Sequence, residues 1–415
     1  MQYSSRIRWF LYSLACGLLI QADSTSTASR DPLIAQHQPG CQQNHSIPNF
    51  LVVGGGGAPS YNEIALEKNM LYFQRTLRTM GYKAEEVASM FFANGNNGQA
   101  TIRYTDKQRR QQFKAPEIPN LNGAATLTNL QRYFQQIAGQ NSSKPLFFYF
   151  TGHGGKNAQD LNNNSLYLWN EQQLSVKQLA QMLEQIPQET PVVTMMAQCF
   201  SGSFANFIYE GGDPKRPVAL QTRCGFFATV KTLPSVGCTP EVNEADYRDY
   251  SSSFFAGLSG RDRTGRKVAS ADYNKDKQVS FAEAHAFAKV DEQSIDLPVS
   301  TSEAWLQSKS EQQQEAILSQ PIAALVQTAR PEQRYVVSSL IKMFGLDKQK
   351  SFLKNVEALS ASKYDNQQQQ AYLKRLEMEL VNISKEKQIR ASQNQKDIAT
   401  LDHLLKCEGG SWGKS

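Results

Sequence analysis

Two short segments of this chain carry side chains that could do covalent chemistry together. One reads Thr151-Gly152-His153-Gly154-Gly155, the other Ala197-Gln198-Cys199-Phe200-Ser201-Gly202-Ser203. The thiolate is the nucleophile of cysteine chemistry, and a nearby imidazole sets its protonation, so a thiol and a His are the minimum for attack on a carbonyl. The glycines beside His153 leave room for a substrate backbone and offer free N–H groups to an oxyanion. Taken singly, a Cys is more often a small buried hydrophobe and a His a satisfied polar residue. A metal site built from these two alone lacks close partners. Their joint placement favours catalysis.

That placement comes from the elements before them. Residues 146–150 are a continuous apolar run, as expected of a strand buried on both faces of a parallel sheet, and 191–196 read as another buried strand. Residues 49–53 form a similar run, halted by Gly54-Gly55-Gly56-Gly57, and 224–230 another. Between them lie helical patterns: Ile64, Met70, Phe73 and Leu77; Leu127, Leu130, Phe134 and Ile137; and a helix opened by the capping box of Ser175 and Gln178. Strands alternating with amphipathic helices define an α/β domain with a mostly parallel sheet. Ligands of such sheets bind at the carboxyl ends of the strands, so His153 and Cys199 should converge there. Ser201-Gly202-Ser203 suits a tight turn into a helix whose N-terminus would favour a thiolate.

The segment Phe148-Tyr149-Phe150-Thr151-Gly152-His153-Gly154 resembles the strand and His-Gly of legumain-type cysteine peptidases, members of the caspase-like clan. Cys199-Phe200-Ser201-Gly202-Ser203 is similar to their Cys-x-Ser-Gly-Ser motif. His before Cys is the order of that clan and the reverse of the papain order. The resemblance covers roughly residues 49–290. It implies a caspase-like three-layer α/β sandwich, with Cys199 as nucleophile and His153 as base and acid. It implies an oxyanion hole from the N–H groups of Gly154 and Cys199. It also implies an Asn near the His, for which Asn62 is the candidate; read alone, Asn62 is a helix cap before Glu63. Gln198 and Phe200 stand where legumains carry acidic residues, so the residue preferred at the cut bond does not carry over. The implied activity is that of an endopeptidase working through a thioester, with transpeptidation as a variant, and that chemistry needs no cofactor. The rival is a catalytically silent, calcium-dependent binding protein of the same fold. A serine hydrolase using Ser201 or Ser203 is excluded because Gly-x-Ser-x-Gly is absent. The remaining histidines have no comparable context.

A second constellation reads Asp272, Asn274, Asp276, Gln278, Ser280 and Glu283, with oxygen donors at positions one, three, five, nine and twelve of a calcium loop. Val279 fills its hydrophobic eighth position. Lys277 stands where the tight turn wants Gly. The expectation is a structural or regulatory Ca2+; the competing reading is a polar turn capping a helix through Ser280.

The chain has 415 residues, 40% hydrophobic and 20% charged, enough for a core and too apolar for disorder. A net charge of +6 with scattered Lys and Arg gives nucleic-acid binding little support; the resemblance implies a peptide or protein substrate as the partner. Arg6 and Arg8, an apolar run from Trp9 to Ile20 and a small-residue stretch form an export signal, residues 1–28, cut after Ala22 or Ala28. The run is too short for a stable membrane span, and the mature protein is expected to be secreted or periplasmic. The catalytic domain spans 45–300, and a helical accessory region, a candidate partner-binding element, spans 320–407. Of 6 cysteines, Cys16 leaves with the signal and Cys199 stays free. Cys224–Cys238 and Cys41–Cys407 are the preferred pairs among three connectivities.

Overall fold

The computed structural model describes residues 47–140, 143–310, 312–360 and 365–412, which lie in one compact unit. The export signal, Cys41, His37 and His45 lie outside the described residues. Six strands form the central sheet: β1 Asn49–Gly55, β2 Ala88–Phe92, β3 Leu146–Gly152, β4 Val192–Ala197, β5 Arg223–Phe227 and β6 Val299–Ser300. Their order is β6-β5-β4-β3-β1-β2. All neighbours run parallel except β6, which pairs antiparallel with β5. This is the expected three-layer α/β sandwich with a mostly parallel sheet.

The alternation of side chains along each strand divides the core into two layers. Leu51, Val53, Phe148, Phe150 and Met196 face one side, where they meet α2 (Leu127–Gly139) and α3 (Val176–Leu183). Phe50, Val52, Phe147, Tyr149 and Met195 face the other, against α1 (Ile64–Thr79), α4 (Tyr250–Ser259) and α5 (Phe281–Asp291). Both faces are covered, which is why the strands read as unbroken apolar runs.

The C-terminal part is helical, as expected, with α6 (Pro331–Phe344), α7 (Gln367–Ala391) and α8 (Gln395–Glu408) its longer elements. Leu373, Leu376, Leu380 and Ile383 of α7 pack into a cluster of their own. Ala371 and Met378, with Leu401 and Leu404 of α8, join the sheet's core instead. Beyond α8 the chain inserts Trp412, 1% exposed, between the aromatic rings of the opposite layer. Its ring centroid is 4.6 Å from that of Phe147 and 4.9 Å from that of Phe50.

The disulfide differs from the expected pairing. Cys224 of β5 bonds Cys407 of α8, and Cys238 is free. Closeness in sequence favoured Cys224–Cys238, but Cys224 is buried within a core strand on the side where the C-terminal tail passes, while the chain carries Cys238 away to the strand ends. The bond spans 183 residues and ties the tail to the sheet. Replacing Cys224 and Cys407 together by Ala should lower unfolding stability by about 2–5 kcal/mol. Urea midpoints with and without reductant check this: the wild-type midpoint should fall on reduction and the variant's should not. A wild-type midpoint indifferent to reductant would count against the bond.

Candidate active site

Strand register sets the site. Thr151 lies opposite Ala197, and Gly55 opposite Gly152, so β1, β3 and β4 end at one edge. His153 follows β3 directly and Cys199 follows β4 by two residues. Phe200 adopts the left-handed conformation, φ 59°, and starts the 3-10 helix Ser201–Ile208. The turn is pinned from below: the Gly202 N–H donates to the Thr229 carbonyl at 2.8 Å, and the Thr229 N–H donates to Ser201 Oγ at 3.2 Å. Ser201 and Ser203 are buried.

Gly154 packs against the Cys199 backbone, and a Cβ there would overlap the Cys199 carbonyl. The N–H groups of Gly154 and Cys199, the expected oxyanion donors, both lie near the Cys199 sulfur and lower its pKa. Burial outweighs them and pushes the thiol up, and the Asp296 charge adds to this. Burial thus works against the thiolate expected at the start of the Ser201 helix. A loop also lies over the sulfur: the Ser235 N–H donates to Sγ at 3.3 Å, and the thiol donates to the Ser235 carbonyl at 3.5 Å.

Sequence reasoning missed what holds His153. Its Nε2 donates to Glu63 Oε2 at 2.9 Å, and the Arg103 guanidinium donates to Glu63 Oε1 at 2.6 Å. The Tyr61 ring meets the imidazole edge-on, centroids 5.4 Å apart. Asn62 is buried next door with a different task. Its Oδ1 accepts from Gly56 N at 2.9 Å, and its Nδ2 donates to the Thr101 carbonyl at 3.2 Å. The Arg103 N–H donates to the Asn62 carbonyl at 2.8 Å, so the 101–103 segment runs beside Asn62 and Glu63. Asn62 thereby fixes the chain that delivers Glu63 to His153. The only signal in the sequence was the adjacency of an acid to the candidate Asn.

Cys238 completes the cluster. It reaches the Gly152 carbonyl at 3.8 Å, and its sulfur, a Glu63 oxygen and a ring nitrogen of His153 all lie within 4.8 Å of one another. The neighbouring Thr239 carbonyl accepts from Ala65 N at 3.3 Å, which holds this loop against the start of α1.

The second constellation folds as a turn. Asp272 accepts from the N–H groups of Asp276 and Lys277, both at 3.1 Å, and Asn274 Oδ1 accepts from Asp276 N at 2.9 Å. Lys277 sits at φ 73°, the conformation that Gly would supply at this point. Glu283 Oε1 accepts from Tyr273 N and Asn274 N, while Oε2 accepts from Ser280 N and Oγ. All four acceptor positions of its carboxylate are thus engaged. Asp276 and Gln278 are exposed, the latter with its N–H on Asp276 Oδ1 at 2.8 Å. His285 lies apart from both sites, buried between Tyr250 and Glu303.

No family model matches this chain, and no curated protein does. Among solved structures, protein GSU0716 from Geobacter sulfurreducens is similar at a TM-score of 0.36 and 11% identity, over 61% of this chain and 92% of its own. Caspase-1 from Spodoptera frugiperda is similar at a TM-score of 0.30 and 12% identity, over 54% of this chain and 75% of its own. At these values neither structure bears on activity or on site residues.

Burial raises the Glu63 carboxyl, but the His153 hydrogen bond and charge, then Arg103, hold it below its ordinary 4.5. A depressed carboxylate contributes stability that is present above its unfolded value and lost as pH falls through the folded one. Glu63→Gln should therefore flatten the acid limb of a melting-temperature profile taken from about pH 6 to pH 3. Limbs of equal slope in the two proteins would contradict the assigned pair.

Proposed function

We propose that the protein is an exported cysteine endopeptidase. The observation that carries this reading is the shared strand-end edge of β3 and β4, with His153 beside one end, Cys199 beside the other and Gly154 N–H near the sulfur. Cys199 would lose its proton to His153 and attack a peptide carbonyl. The tetrahedral oxyanion would fall between the N–H groups of Gly154 and Cys199. Collapse breaks the C–N bond, His153 returns the proton to the leaving amine, and a thioester remains. Water, deprotonated by the same imidazole, then releases the acid; an amine in place of water would give transpeptidation. Glu63 acts through His153 as a positioning residue. Export rests on the N-terminal signal of the sequence; among the described residues no helix is long and apolar enough to cross a membrane.

Cys199→Ala should abolish peptide-library cleavage while the melting temperature stays within a degree or two, because only a half-buried Sγ and its two long contacts to Ser235 are lost. Retained cleavage would sink the assignment. His153→Ala should block labelling of Cys199 by an electrophilic thiol probe.

The silent binding protein is the second reading, favoured by the Ser235 loop over the thiol. Wild-type protein that neither cleaves nor takes up the probe would establish it.

We also propose that the 272–283 loop takes a calcium ion. This needs Glu283 to exchange its hydrogen bonds to Tyr273, Asn274 and Ser280 for the cation, with Asp272, Asn274, Asp276 and Ser280 as its other side-chain donors and Gln278 at the seventh position of the loop. Calorimetric titration with Ca2+ should give one site in the wild type and none in Asp272→Ala. Absence of heat in both would leave the loop a helix-capping turn.

A further inference from the structure

The group around His153 holds a feature that hydrolysis does not use. We infer that Glu63, His153 and Cys238 form a binding site for a borderline-soft divalent cation, Zn2+ foremost, and that filling it withholds the imidazole from Cys199.

One carboxylate oxygen, one ring nitrogen and one thiol sulfur come within 4.8 Å of one another. Ligand atoms about 2.0–2.3 Å from a tetrahedral zinc lie slightly closer together than that, so small side-chain rotations suffice. An imidazole with a thiolate selects zinc over the oxygen-seeking calcium and magnesium. Three protein ligands leave the fourth position to water. The outer contacts needed to aim the ligands are present. Arg103 holds Glu63 Oε1 and leaves Oε2 to face the cluster, at the point where His153 now donates. The three ligands come from separate parts of the chain: the residue before α1, the end of β3, and the loop after β5.

On binding, the Cys238 S–H bond breaks, its proton leaves to solvent, and the sulfur keeps the electron pair it donates to the metal. Nothing is oxidised or reduced.

The site exists whether or not Cys199 is a nucleophile; only the inhibitory consequence rests on the peptidase reading. Two readouts keep them apart. The first is direct binding to metal-free protein with the Cys224–Cys407 bond intact, by zinc titration and by the thiolate-to-cobalt absorption band with Co2+ as the spectroscopic probe. Wild type should bind one equivalent and show the band. Cys199→Ala should do the same. Cys238→Ser should lose the band and bind at least about tenfold more weakly, since losing a ligand exceeds the 10–100-fold effect of an outer contact. Glu63→Gln should weaken zinc while keeping the band. Wild type without stoichiometric binding, a band that persists in Cys238→Ser, or one that disappears in Cys199→Ala would each overturn the site. The second readout is turnover, which zinc should abolish in wild type at the occupancy that the titration defines. Full turnover at saturating zinc would overturn the inhibitory role. A protein with no turnover in metal-free buffer fails the peptidase reading alone, and the cobalt band still decides the site.

Discussion

Everything at the candidate site depends on the in-register parallel pairing of β3 with β4. Thr151 opposite Ala197 brings the residues after each strand to the same edge, where neither has a further strand residue to pair with. A shift of one residue would turn every side chain of a strand to the other face. Since both faces of these strands are buried in distinct layers, such a slip would place Phe148 and Phe150 among the partners of Phe147 and Tyr149. The core therefore enforces the register, and the register places His153 and Cys199.

The C-terminal chain is part of the same enforcement. Leu401 and Leu404 complete one layer, while the Cys224–Cys407 bond and Trp412 close the other. The Trp412 ring stands nearly perpendicular to those of Phe50, Phe73 and Phe147, which belong to β1, α1 and β3. Edge-to-face contacts of this kind favour a fixed geometry over a sliding one. The sheet that carries His153 and Cys199 at its edge is thus packed partly by residues from the far end of the sequence.

This division explains what could be read in the sequence. Strands buried on both faces show as apolar runs, so β1, β3, β4 and β5 were legible, and with them the two reactive side chains at their ends. The helical spacing of Leu373, Leu376, Leu380 and Ile383 was legible for the same local reason. Glu63 and Cys238, in or beside loops, and Arg103, in the short strand Ile102–Thr105, were not, because only tertiary structure brings them to His153. The disulfide was hidden too: four cysteines permit three pairings, and proximity along the chain pointed away from the partner 183 residues distant. In the 272–283 segment the spacing of donors was plain, but spacing does not tell whether Glu283 turns to a cation or to the N–H groups of its own loop.

The remote helix α7 also reaches Cys199 through a chain of polar contacts. Arg375, fully buried, donates Nε to the Asp296 carbonyl at 2.9 Å and Nη1 to the carbonyls of Lys289 and Glu292, both at 3.0 Å. This fixes the segment that presents the Asp296 carboxyl. Asp296 in turn accepts from Ser235 Oγ at 2.5 Å and from Val236 N at 3.0 Å, which holds Ser235 over the Cys199 sulfur. Burial pushes the Asp296 carboxyl up to about 7, against the pull of the Ser235 and Val236 donors and of Arg375. A guanidinium buried without these carbonyls would be strongly destabilising, so Arg375 and the 289–296 segment require each other. The loop over the thiol is therefore no independent flap. Its resting position is set by a helix that contributes no reactive group, and the burial that raises the Cys199 thiol follows from the same packing.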